Sequence, residues 1–102
     1  MQYPKAVRKE LNTLASIAYE RELDDALGDL YESFTKWKAK QIDGFELNQL
    51  IHEFHQIKSR ELWNMYNDKD EDFIVIRAMR LGILKPEEIS LKPSRPFIWI
   101  GI

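Results

Sequence analysis

The sequence predicts an all-α fold: a long antiparallel helical hairpin followed by a short helical corner and an extended apolar C-terminal tail. Residues 5–41 contain no proline and a single glycine, and their apolar residues recur every three or four positions. A helix-capping pattern beginning at Asp43 then opens a second stretch of the same periodicity. At 102 residues, the whole chain, 1–102, is expected to form a single helical domain.

The first helix is predicted over about residues 5–41. Pro4 suits its first position, where a missing N–H costs nothing. The Leu-Asp-Asp stretch near residues 22–25 could end one helix and cap another, so a kink or a break there is the alternative. The apolar stripe crosses Glu22 without losing phase, which favours one continuous or kinked helix. Its members are Leu11, Ala15, Tyr19, Leu23, Leu27, Leu30, Phe34 and Trp37.

The second helix is predicted over residues 43–66. Asp43 can accept a hydrogen bond from the backbone of Glu46, whose side chain can reach back to the amide of Asp43. The connection at residues 42–44 is short, so the two long helices must lie antiparallel. The predicted buried side consists of Leu47, Leu50, Ile51, Phe54, Ile57, Leu62, Trp63 and Tyr66.

A short helical corner is predicted over residues 72–90. Residues 73–81 can form a helix, and Gly82 is placed to end it with a left-handed residue. Pro86 then suits the first position of one further helical turn. The tail, residues 97–102, has the β-branched and aromatic content of a strand, but no second strand pattern is present to pair with it.

Composition excludes several classes of function. The net charge of −2 provides no global basic field, so nucleic-acid binding is not expected. The chain has no cysteine, which excludes disulfides and thiolate metal sites and fits a cytoplasmic location. The longest apolar run is far too short to span a membrane, and no signal peptide is recognisable. None of the four glycines forms a phosphate-binding loop, and we expect no cofactor.

Residues 51–55, IHEFH, resemble the H-E-x-x-H sequence of zinc hydrolases but are one residue short. His52 and His55 are three apart and could still reach one metal. A third ligand would have to be a carboxylate, and Glu32 is the best-placed partner on the facing helix. The apolar arc of the second helix passes beside both histidines, which favours boundary residues with ordinary hydrogen bonds. Metal binding or metal-dependent hydrolysis is therefore the second hypothesis.

Residues 77–95 have the spacing of a helix–turn–helix and include Arg77 and Arg80. This gives a third hypothesis, a nucleic-acid-associated regulator. The would-be recognition helix opens with Glu87 and Glu88, which phosphates repel. A helical corner that covers one end of the hairpin is the preferred interpretation.

The first hypothesis is a non-enzymatic protein–protein interaction module that acts as a homodimer or binds another protein. A lone helical hairpin leaves one face open unless a second hairpin covers it. Trp37, Trp63, Phe97 and Trp99 are the expected interface or packing anchors. The alternative is a monomer capped by its own C-terminal third. The tail can fold back over the hairpin or cross to a second subunit. The order and spacing of these motifs look like those of a small bacterial or phage domain, but no family resemblance is specific enough to name.

Overall fold

The computed structural model describes residues 3–89, and within that range it is all-α with no strand. Its helices are α1 (Lys5–Lys38), α2 (Gly44–Glu53), a π-helical segment (Phe54–Ser59), α3 (Arg60–Asp68) and α4 (Glu71–Arg80). A 3₁₀ turn, Pro86–Glu88, follows. The all-α prediction is confirmed. The predicted tail, with Phe97 and Trp99, lies outside the described residues.

α1 is one helix of 34 residues, without a break at residues 22–25. It ends at Lys38 rather than at residue 41. Lys40 adopts the left-handed conformation at φ 64°, and the N–H of Gln41 donates to the carbonyl of Lys36 at 2.8 Å. This reversal satisfies the last carbonyls of the helix. Lysine occupies a position that glycine would fill without strain, so periodicity alone did not locate this end.

The second long helix runs without interruption through α2, the π-helical segment and α3. Its predicted capping box is confirmed, since Glu46 N–H donates to Asp43 Oδ1 at 2.8 Å and Asp43 N–H donates to Glu46 Oε1 at 3.1 Å. Leu62 lies eight residues after Phe54, a spacing that leaves it about 80° out of register in an α-helix. The π-helical segment absorbs one residue and returns Leu62 to the side that faces α1.

The two long helices pack antiparallel, as the contacts along them show. Trp37, near the end of α1, shares a depression with Asp43 at the start of α2. Tyr19, much earlier in α1, stacks on Tyr66 in α3 with ring centroids 4.7 Å apart. Residues late in one helix therefore meet residues early in the other.

α4 packs on the N-terminal half of α1. Tyr3 Oη donates to Asp72 Oδ2 at 2.6 Å beside the first turn of α4, while Gly82, at φ 78°, turns the chain after its last turn. Burial and the Asp72 carboxylate raise the pKa of Tyr3 to about 12. The main core lies between α1, α4 and the 3₁₀ turn. It consists of Val7, Leu11, Leu14, Ala18, Val75, Ala78, Met79, Leu84 and Ile89.

Burial along the hairpin is uneven, and part of the predicted buried side is wrong. Ile57 and Trp63 are 55% and 56% exposed, because the π-helical segment gives the inward positions around them to Phe54 and Leu62. Trp37 is 44% exposed and does not belong to the main core. α4 is only ten residues long and packs on the N-terminal half of α1. It therefore does not cover the C-terminal half of α1, which contains Trp37.

Candidate interaction surfaces

The two histidines lie on the surface of the second long helix. His52 is in the last turn of α2, and His55 is in the π-helical segment, where it borders a depression with Ser59, Arg60 and Trp63. Among residues 3–89, no three histidine or carboxylate side chains are grouped so that they could hold a metal ion. His52, His55 and Glu32 are thus not brought together, and metal binding stays a prediction without a third ligand in that range.

Arg77, one of the arginines predicted for a nucleic-acid contact, has a partner within the fold. Arg77 Nη1 lies 2.7 Å from Glu22 Oε1, so the charge of Arg77 is neutralised within the fold. Glu88 forms a salt bridge with Arg21, in which Arg21 Nη1 lies 2.7 Å from Glu88 Oε2. Residues 86–88 form a single 3₁₀ turn rather than a recognition helix. The nucleic-acid hypothesis remains a prediction that these contacts do not favour.

A polar network fastens α4 to the hairpin. Glu22 on α1 accepts hydrogen bonds from Tyr66 Oη at 2.6 Å and from Arg77 Nη1 at 2.7 Å. Burial acts to raise the pKa of the Glu22 carboxyl, but the bonds from Arg77 and Tyr66 outweigh it and hold that pKa below its usual value. Burial and the Glu22 carboxylate raise the pKa of Tyr66. The three side chains come from α1, α3 and α4, so this network fixes how the three helices meet.

One side of the hairpin is apolar and uncovered in the described structure. Leu27 lies nine residues after Ala18, which is half a turn round α1 from the side that α4 covers. Tyr31 and Phe34 project within about 40° of the same direction. On the second helix, Ile51 and Trp63 lie one residue beyond the inward-facing Leu50 and Leu62. We call this set the open face: Leu27, Tyr31, Phe34, Ile51 and Trp63, exposed by 43%, 71%, 39%, 37% and 56%.

The other side of the hairpin carries a groove between α1 and the second helix. Its volume is about 330 Å³. Asp29 lies on its α1 edge, eleven residues after Ala18 and so within about 20° of the α4-facing direction. The groove therefore lies on the same side as α4, beyond the part of α1 that α4 covers. Its lining residues are Ala26, Asp29, Leu30, Leu50, Glu53, Phe54, Ile57 and Lys58.

These surfaces contain only part of the predicted anchor set. Trp63 belongs to the open face, whereas Trp37 lies at the hairpin tip beside Asp43 and Glu46. Sequence reasoning missed the groove, and it placed Leu27 and Phe34 in the buried stripe. The width of the apolar stripe of α1 could have indicated this exposure. A single facing helix covers only a narrow part of so broad an apolar arc, so the rest stays uncovered unless another element packs on it.

No helix within residues 3–89 combines the length and the apolar character needed to cross a bilayer. The chain matches no family model, no curated protein and no solved structure.

Proposed function

We propose that the chain is a non-enzymatic helical interaction module that forms a homodimer through its open face, in the cytoplasm. The observation that carries this proposal is the concentration of large apolar side chains on one side of the hairpin. At about 200 Å² per aromatic side chain, the exposed fractions of Tyr31, Phe34 and Trp63 amount to about 330 Å² of uncovered aromatic surface. A stable interface takes about 800 Å² from each partner, so these residues would form its apolar centre.

The shape of the hairpin supports a second copy as the occupant. Two antiparallel hairpins that pack face to face form a four-helix core, the usual way of burying the apolar sides of paired helices. A two-fold axis lets the same patch serve both copies. The open face spans both long helices, so each would contact the partner. Aromatic residues are also the side chains most enriched at the centres of interfaces.

The test is the molar mass of the untagged chain in solution, measured by light scattering at a series of concentrations. We expect twice the chain mass of 12.2 kDa for the unmodified protein. Tyr31→Lys should shift the mass to that of a monomer, because it places two like charges in a desolvated centre. Phe45→Lys is the matched control, since Phe45 is 88% exposed at the hairpin tip and lies outside the open face.

Two results would contradict the proposal. An unmodified chain that stays monomeric across the whole concentration series has no such dimer. A dimer that survives both Tyr31→Lys and Leu27→Lys uses a different surface. Helical content, followed by circular dichroism, separates dissociation from unfolding in the variants.

A further inference from the structure

α4 already covers part of the hairpin side that carries the groove, namely the N-terminal half of α1. Val75, Ala78 and Met79 of α4 pack on the buried stripe of α1, while Arg77 pairs with Glu22 at the edge of that contact. The covering segment thus combines apolar side chains with a cation that meets an α1 carboxylate. The contact with α4 therefore shows which kind of segment packs on the groove side of α1: one with apolar side chains and a cation.

Further carboxylates follow Glu22 along α1, beyond the part that α4 covers. Asp25, Asp29 and Glu32 follow Glu22 at three, seven and ten residues, so they form a row that extends it along one side of α1. Within residues 3–89, none of these three carboxylates has a hydrogen-bonding or ionic partner. The groove runs beside the row. An acidic edge next to an apolar groove fits a segment that carries both cations and large apolar side chains.

The described chain ends close to this groove. Ile89 belongs to the main core, and the Glu88 carboxylate accepts from Arg21 Nη1 at 2.7 Å. Asp25 lies one helical turn beyond Arg21, about 6 Å along α1, and Leu30 lies about 14 Å along it. From Ile89 to Phe97 the chain can span at most about 26–29 Å. Residues after Phe97 are therefore within reach of the groove in the same molecule.

The sequence that follows Ile89 has the matching composition. Lys92 and Arg95 come first, and the apolar run Phe97-Ile98-Trp99-Ile100 comes after them. The cations would pass the acidic row before the apolar run meets the groove. Residues 90–102 contain no aspartate or glutamate, so no side chain of this segment repels the row.

We infer that the C-terminal segment is the ligand of the groove in its own chain. Its apolar run enters between Leu30 and Phe54, and Lys92 and Arg95 face the Asp25–Asp29–Glu32 row. The segment then continues the cover that α4 begins. This assignment closes the groove side of the hairpin and leaves the open face to the second copy, so it does not depend on the dimer.

The absence of cysteine permits a direct test by disulfide cross-linking in the full-length chain. Ile57→Cys is combined with Ile98→Cys, and separately with Trp99→Cys, because successive residues of an extended segment point to opposite sides. Phe34→Cys with each of the same two partners gives the matched controls, on the open face. Oxidation is followed by intact mass and by peptide mapping under non-reducing conditions.

We expect an intramolecular disulfide in at least one Ile57→Cys pair, formed at least tenfold faster than in its Phe34→Cys control. Equal rates in the two positions, or no intramolecular disulfide, would overturn the inference. A disulfide that only joins two chains would overturn it too, because the segment would then occupy the groove of a partner.

The charge component has its own measurement. Asp29→Lys should slow the Ile57→Cys cross-link about threefold, the effect of one or two screened ion pairs, and adding Arg95→Glu should restore part of the rate. A rate that does not change in either variant contradicts the role of the acidic row. The dimer is tested by molar mass and this inference by the intramolecular disulfide, so either can fail while the other stands.

Discussion

The Glu22 network gives the sharpest prediction of stability. Glu22→Gln keeps the shape of the side chain and one acceptor oxygen but removes the charge that Arg77 and Tyr66 bind. A hydrogen bond to a charged group contributes about 1.5–3 kcal/mol. Glu22 accepts two short bonds, from Tyr66 Oη at 2.6 Å and from Arg77 Nη1 at 2.7 Å, and its side chain is 17% exposed. We expect the substitution to lower the free energy of unfolding by about 2 kcal/mol, the value of one such bond.

Thermal unfolding followed by circular dichroism is the assay. In a domain of about this size, 1 kcal/mol shifts the Tm by about 4–8 °C, so the expected decrease is about 8–16 °C. All samples are compared at one concentration, since association raises the apparent Tm. Glu20→Gln is the matched control, because Glu20 is exposed on the same helix and lies about 160° round it from Glu22. Equal Tm values for Glu22→Gln and Glu20→Gln would refute the role assigned to the network.

The pH dependence of the same pair of proteins checks the cause. The folded-state pKa of Glu22 lies below its usual value, so its contribution to stability is complete above the unfolded-state pKa of about 4.3. It is lost as the pH falls through the lower folded-state pKa. The difference in unfolding free energy between the natural chain and Glu22→Gln should therefore be constant near neutrality and shrink below about pH 4. A difference that is unchanged at pH 3 would mean that the charge of Glu22 is not its source.

Three further predictions concern packing, backbone conformation and the C-terminus. Leu11→Ala, at a core position that is 2% exposed, should cost about 2–5 kcal/mol in urea unfolding, and a loss below 1 kcal/mol would place Leu11 outside the core. Gly82→Ala should destabilise by about 1 kcal/mol and Lys40→Gly should stabilise by a similar amount, because both positions have positive φ; changes of the same sign would contradict this. Deletion of residues 97–102 should lower the Tm or dissociate the oligomer, and an unchanged mass and Tm would exclude a structural role for the segment.

Local chemistry made several features predictable from the sequence. The capping box at Asp43 and Glu46 involves residues three apart, and the glycine that ends α4 is required by its own φ of 78°. Pro86 begins its turn because its ring fixes φ and its missing N–H is not needed there. Such rules depend on near neighbours, so no tertiary context was needed to apply them.

The surfaces were less predictable, because periodicity reports that a helix has an apolar side but not what covers it. Leu27 and Phe34 continue the stripe of Leu11 and Ala15, yet the first pair is exposed and the second is buried. Leu11 and Ala15 lie on or near the side of α1 that α4 covers, whereas Leu27 and Phe34 lie about half a turn away from it, where no described element packs. The groove likewise requires two helices to meet, and its acidic edge was visible in the sequence only as scattered carboxylates.

The sequence by itself determined the helical class, the cap at Asp43, the turn at Gly82 and the antiparallel order of the long helices, because hydrogen-bonding patterns and a short connection act over a few residues. Only the tertiary structure decided the register of the second helix, where one π-helical turn returns Leu62 to α1. Only the tertiary structure brought Glu22, Tyr66 and Arg77 together, from three helices far apart in the chain. Side-chain packing between helices sets those distances, and it also left one apolar side of the hairpin uncovered within residues 3–89.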